Sequence, residues 1–171
     1  MAADLQAKGN ILLQMRKYDD ARKCFEHSVR LIQDSSLSKE IKDNAQLVHH
    51  FNLGAIANGK QDLKTAKAES AEFSSGAEAS KNPVLVRQSH ELAGMIALTE
   101  KDYDKAIAEL QQANQQNPQD MYRMAQAYAG KGDNAKAQEF YSQAAGFNSL
   151  PQLNYAFVRV KAQKMAGGKK G

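Results

Sequence analysis

Four histidines and one cysteine are the side chains best suited to metal binding or nucleophilic chemistry: Cys24, His27, His49, His50 and His90. Cys24 and His27 stand three apart, so a helix would put them on one face. A zinc site needs three or four ligands, and no other Cys or His lies at a recognisable motif spacing. His49 and His50 are adjacent, and a helix points them about 100° apart. His90-Glu91 lacks the His-Glu-x-x-His spacing of helical zinc sites. No metal and no cofactor are expected. Catalysis fares alike, because a Ser–His or Cys–His pair would have to arise from distant helices, and no glycine-rich phosphate loop follows a strand. Asp19-Asp20 suits the first turn of a helix, where carboxylates meet the positive end of the dipole. The chain is expected not to be an enzyme.

The elements that would position any site are helices. Of 171 residues, 42% are hydrophobic and 25% charged, which is ordinary for a folded chain and argues against wholesale disorder. Alanine, glutamine, lysine and glutamate are abundant, whereas alternating β-branched runs are missing. The net charge of +4 owes much to Arg159, Lys161, Lys164, Lys169 and Lys170. Elsewhere cations alternate with Asp and Glu, as on a solvated helix face, so nucleic acid is not an expected partner. With Cys24 alone, no intrachain disulfide is possible. No apolar run approaches the roughly 20 residues of a membrane span, so no membrane insertion is expected. Met1-Ala2-Ala3-Asp4 enters a helical pattern without signal-peptide features, and the default expectation is the cytoplasm. A chain trimmed after signal cleavage would look the same, which keeps the periplasm or secretion open.

Self-comparison exposes a repeat. A small residue is followed twelve positions later by alanine, then by residues four and seven further on. The sets are Gly9 with Ala21, Phe25 and Ser28; Gly54 with Ala66, Ser70 and Phe73; Gly94 with Ala106, Leu110 and Ala113; Ala125 with Ala137, Tyr141 and Ala144. Spacing of four and seven puts three side chains on one face, and the alanine lets a neighbouring helix approach. Between small residue and alanine lies a break, with Asp62, Asp102 and Asp133 placed to cap a new helix and Lys17 at the same place in the first set. Asn117-Pro118 ends the third pair. The pattern predicts helices over 2–16, 18–33, 37–58, 60–80, 83–100, 102–116, 118–130, 133–146 and 150–166.

These residues resemble the tetratricopeptide repeat family across roughly 3–147. The third set is nearest, in Leu92-Ala93-Gly94-Met95-Ile96-Ala97, Asp102-Tyr103-Asp104-Lys105-Ala106-Ile107 and Asn117-Pro118. The resemblance implies an all-α fold: an α-α superhelix, or solenoid, of about four helix hairpins plus a C-terminal capping helix. It forms a single domain over 1–171, with repeats at 3–34, 37–80, 83–117 and 118–147, a cap at 150–166 and a frayed tail at 167–171. The family repeat is about 34 residues long. Here the intervals from Gly9 to Gly54, Gly54 to Gly94 and Gly94 to Ala125 are 45, 40 and 31. The long ones imply extended helices around 35–51 and 73–81, the short one a trimmed turn after Asn117. In the last helix, Leu153, Phe157 and Val160 follow helical spacing, and a cap should turn a polar face outward. Tyr18, Phe25, Phe73, Tyr103, Tyr128, Phe140 and Tyr141 are expected to be mostly packing residues.

In the family, the first helix of each pair lines a concave groove that holds a protein or peptide partner. Carried over, the lining is Gln6, Asn10 and Gln14, then Phe51, Asn52, Ala55 and Asn58, then Glu91, Met95 and Leu98, then Tyr122 and Gln126. One branch of the family clamps a chaperone's C-terminal carboxylate with lysine, asparagine and arginine. Asn10 and Asn52 occupy its two asparagine positions, but Gln6, Gln88 and Leu92 fill its basic ones, leaving a carboxylate without cations to offset its desolvation. The expected function is a non-catalytic protein- or peptide-binding scaffold. The alternative is a structural, self-associating module, a homo-oligomer belonging to a larger or exported envelope protein.

Overall fold

One turn is built four times. In each hairpin a residue of positive φ (Arg16, 59°; Gln61, 63°; Lys101, 62°; Gly132, 89°) directly precedes the N-cap of the next helix. Those N-caps, Lys17, Asp62, Asp102 and Asp133, share a φ near −80° and a ψ between 66° and 79°. The amide of each caps the helix behind it, donating at 2.9 Å to the carbonyls of Leu12, Ala57, Ala97 and Tyr128. This is a Schellman ending fused to a helix start. Three of the four Nʹ sites are not glycine, which costs each roughly 1 kcal/mol of backbone strain. Asp62, Asp102 and Asp133 accept from the amides of Thr65, Lys105 and Lys136 at 3.1, 3.2 and 3.1 Å, whereas Lys17 offers no side-chain cap.

The computed structural model describes residues 1–147 and 153–167, with Asn154 described by its backbone alone. Among them the elements are α1 (Ala2–Gln14), α2 (Tyr18–Gln33), α3 (Lys39–Gly59), α4 (Leu63–Ser80), α5 (Pro83–Glu100), α6 (Tyr103–Leu110), α7 (Pro118–Lys131), α8 (Asn134–Gly146) and α9 (Leu153–Ala166). The fold is all-α and helical-repeat, as expected. It forms two compact units, Met1–Leu92 and Ala93–Gly171. Positions 150–152 of the expected cap and 168–171 of the expected tail lie outside the described residues.

Inside each unit the small residues explain themselves. A Cβ on Gly9 would sit 2.3 Å from Phe25 Cε1, and one on Gly94 would sit 2.7 Å from Leu110 Cγ. Phe25 and Leu110 stand four residues beyond the alanine of their sets, so in these two sets the glycine makes room for a bulky partner. Ala21, Ala66 and Ala106 are fully buried and Ala137 is 3% exposed, as helix-contact alanines should be. A second pairing recurs between consecutive hairpins. Tyr18 lies against Gly59 and donates its hydroxyl to the Gly59 carbonyl at 2.8 Å, while Asp19 pairs with Lys60 at 2.7 Å. In the other unit Tyr103 lies against Gly130, and Asp104 pairs with Lys131.

Two expectations need correction. The helix expected over 102–116 stops at Leu110. The Gln115 side chain reaches back and donates to the carbonyls of Leu110, Gln111 and Ala113 at 2.7, 3.2 and 3.3 Å, replacing the amides of a continued helix. Asn117 then accepts from the Gln119 amide at 3.1 Å and starts α7, with Pro118 at its first position. The second correction concerns α9, whose outer face is not polar. Leu153 and Val160 are 37% and 59% exposed, and the buried residues are Val158 and Ala162. The rotation is fixed by Tyr155, which donates to the Ala145 carbonyl at 3.1 Å, and by Gln138, which donates to the Ala166 carbonyl at 2.6 Å.

Candidate functional site

Three helical stripes converge in the first unit. From α1 come Ala2, Ala3 and Gln6; from α2, Phe25, Ser28, Val29 and Ile32, spaced 0, 3, 4 and 7. From α3 come Ile41, Asn44, Ala45, Val48, His49 and Asn52, which continue one face for more than three turns. They surround a cavity of about 320 Å³, partly open to solvent, within the size range of ligand pockets. None of the thirteen lining residues is an acid, a lysine or an arginine. Ile41, at the first turn of α3, is 45% exposed. That turn is held by Ser38, which accepts from the Ile41 amide at 3.4 Å, and by Gln33, which donates to the Lys42 carbonyl at 2.8 Å.

The polar groups of this pocket are mostly engaged. Gln6 and Asn52 exchange two hydrogen bonds, at 3.1 and 3.3 Å, and Ser28 donates to the Ala2 carbonyl at 2.9 Å. His49 is different. Its Nδ1 is shielded from solvent and has no hydrogen-bond partner. Burial pushes its pKa below the ordinary 6.5, opposed by the nearby Glu26 and Glu69 carboxylates and aided by His50 and Arg22. The next residue, His50, points elsewhere and pairs with Glu69 at 2.8 Å.

The residues expected to line a groove divide between the units. Gln6, Asn10, Phe51, Asn52 and Glu91 fall in the first, Met95, Tyr122 and Gln126 in the second. Only Gln6 and Asn52 join the pocket. Phe51 is half-buried with its ring edge-on to Phe73 at 5.6 Å, and Tyr122 is half-buried and tilted on Tyr141 at 5.4 Å. Both rings are thus packing residues of their own hairpins. Burial raises the pKa of Tyr122 and, with the neighbouring Tyr122, that of Tyr141. Asn10, Glu91 and Met95 are half-buried, and Gln126 is exposed.

Sequence reasoning missed Val29, Ile32, Ile41, Ala45 and Val48, and weighed His49 only as a metal-binding or nucleophilic candidate. Their signal was present in the 0, 3, 4, 7 spacing on α2 and α3 and in the 45-residue first interval, which lengthens α3 to 21 residues. A buried polar cluster in the second unit was missed as well. Asp120, 1% exposed, accepts from Arg123 at 2.6 Å and from Asn117 at 2.9 Å, and Arg123 also donates to Gln119 at 3.2 Å.

No group of His, Cys, Asp and Glu among the described residues is arranged to hold a metal ion, and no helix among them is long and apolar enough to cross a membrane. A family model for the tetratricopeptide repeat matches residues 5–35, 88–120 and 121–149, more than half of the chain. The α3–α4 hairpin lies outside those matches, yet carries the same positive-φ turn and aspartate cap. No curated protein matches the chain.

Proposed function

The chain belongs to the tetratricopeptide repeat family, whose repeats generally mediate protein–protein interaction, and on that footing we propose that it is a binding module docking an apolar partner segment in the α1–α2–α3 pocket. The family is typically a non-catalytic scaffold. The observation that carries the reading is the convergence of three uncharged helical stripes on one open cavity. An apolar side chain seated there leaves water without displacing any ion, and each fully buried Leu or Phe contributes about 1.5–3 kcal/mol. The Gln6–Asn52 pair at the wall lets an uncharged peptide group hydrogen-bond, since each amide has further donor and acceptor capacity. Of the groove that the family resemblance implies, this pocket keeps Gln6 and Asn52 and adds the C-terminal half of α2.

The test is selection from a random peptide library on the wild-type chain, followed by affinity measurement. Selected peptides should be rich in uncharged apolar residues, and their binding should change little with salt. Ala45→Phe, which fills the cavity, and Ile41→Asp, which charges its rim, should both abolish binding while circular dichroism stays unchanged. Peptides that bind both variants as well as wild type overturn the pocket.

One observation favours self-association as a second reading. On α1, Ala7 and Ile11 are exposed at helical spacing, and Met15, the C-cap residue, continues the stripe, with Ile11 41% and Met15 56% exposed. Light scattering decides it. A mass that rises with concentration and falls to one chain in Ile11→Glu supports it.

A further inference from the structure

Helix α9 is apolar on two opposite sides. Its inner side carries Tyr155, Val158 and Ala162, with Val158 5% and Ala162 0% exposed. At 3.6 residues per turn, Leu153, Val160 and Lys164 fall within about 40° of each other, opposite Ala162. Leu153, Ala156, Phe157 and Val160 give the outward side the 0, 3, 4, 7 pattern of a packing face. Leu153, Val160 and Met165 put three of the large exposed apolar side chains on this one helix. A helix polar on its outer side would end a repeat array in water, and this one does not.

We propose that the outward face of α9 is a docking site for an acidic amphipathic helix of a protein partner, independent of the pocket in the first unit. The charge pattern chooses the occupant. Every acid or base on α9 is a cation: Arg159, Lys161 and Lys164. From Phe140 to the last residue the sequence holds five cations and not one Asp or Glu. Lys161 and Lys164 are exposed and flank the apolar stripe at its C-terminal end. A partner helix laying Leu-like residues on Leu153, Phe157 and Val160 brings its own flanking carboxylates to those lysines. Two copies of α9 would set like charges together, which disfavours self-pairing. A lipid surface fits less well. One face of α9 is spent on packing and on the Tyr155 and Gln138 hydrogen bonds, so only a stripe two turns long is left to enter a headgroup layer.

The test uses the full chain and two designed helical peptides with leucine at positions 0, 3, 4 and 7. One carries glutamate at its remaining positions, the other lysine, and fluorescence anisotropy reads the binding. The acidic peptide should bind at least about tenfold tighter than its lysine twin, a gap that narrows as salt is raised. Val160→Glu should weaken the acidic peptide about tenfold or more at unchanged melting temperature, because Val160 is an exposed residue. Lys161→Glu with Lys164→Glu should reverse the preference between the twins. Equal affinity for the two peptides, or full binding by Val160→Glu, overturns the proposal. So does preference for phosphatidylserine-containing vesicles over the acidic peptide, or a concentration-dependent mass that Val160→Glu abolishes.

Discussion

The α2–α3 and α6–α7 junctions solve one problem in opposite ways. At each, a second helix must end and the next first helix must begin. In the first unit α2 runs its full sixteen residues, and α3 follows with twenty-one. The surplus chain becomes helix, and its early turns stand beside the end of α2 with an apolar gap between them. In the second unit α6 stops after eight residues, and the N-terminus of α7 is buried from Asn117 to Asp120. That end is filled by its own polar side chains, Asn117, Gln119, Asp120 and Arg123. Lengthening the repeat to 45 residues leaves a space for something else to fill, and shortening it to 31 makes the chain plug itself. Departure from the family period thus leaves an apolar cavity in one unit and a buried polar cluster in the other, and the first is the surface proposed to bind.

The comparison breaks most readily at the lock. Asp120→Ala removes the carboxylate that two side chains donate to, in a site where Asp120 is 1% exposed. Losing one member of a buried ion pair costs about 3–5 kcal/mol, so urea denaturation should show a loss of that order. Asp120→Asn with Arg123→Met should recover much of it, because no charge is then left behind. A single mutant as stable as wild type would mean that the cluster locks nothing.

Overpacking comes next. Gly9→Ala places a methyl carbon 2.3 Å from Phe25 Cε1, which forces the ring or α1 to move, at about 1–3 kcal/mol. Phe25 lines the pocket as well, so the same substitution should weaken peptide binding to the first unit. Gly146→Ala, with nothing within 4 Å of the added carbon, is the control and should be close to neutral. The turns give a smaller effect of opposite sign. Lys17→Asp supplies the cap that Asp133 already provides in the fourth hairpin, and thermal melting should show a gain of about 1 kcal/mol. Asp133→Ala should lose a similar amount.

Much of this was legible in the sequence, for local reasons. Aspartate four before alanine and proline after asparagine each act within a few residues. The helices and the three aspartate caps follow from them, whereas the repeat spacing grouped Gly9 with Phe25 without showing that they touch. The end of α6 was not legible. Gln111, Gln112, Gln115 and Gln116 favour helix, and what stops it is the Gln115 side chain folding back on carbonyls. Nor could the rotation of α9 be read, because both of its sides are apolar and distant Ala145 and Gln138 choose between them. Gln6 and Asn52 were reached through the family resemblance. The pocket around them required three stripes on three helices to be read together, and no single window contains them.

The smallest effect separates the two proposed surfaces by acidity. Burial lowers the pKa of His49 below 6.5, so the unfolded chain takes up a proton there more readily than the folded one. The stability owed to neutral His49 is therefore complete above pH 6.5 and declines as the pH falls below it. It levels off under the lowered native pKa, where both states are protonated. Between pH 5 and 6.5 most carboxylates are still largely ionised, and that is the window to read. Wild type should lose stability there, and His49→Gln should lose less. His50, which pairs with Glu69, needs its own control in His50→Gln. A segment seated in the pocket withdraws more water from the His49 ring, so its affinity should fall with pH in the same window. No histidine follows His90 in the sequence, and the α9 face carries only lysine and arginine. Binding of the acidic peptide should accordingly stay flat between pH 5.5 and 7, measured by anisotropy on one sample titrated through that range. If both affinities fall together, the loss reflects the whole chain and not His49, and acidity no longer tells the two surfaces apart.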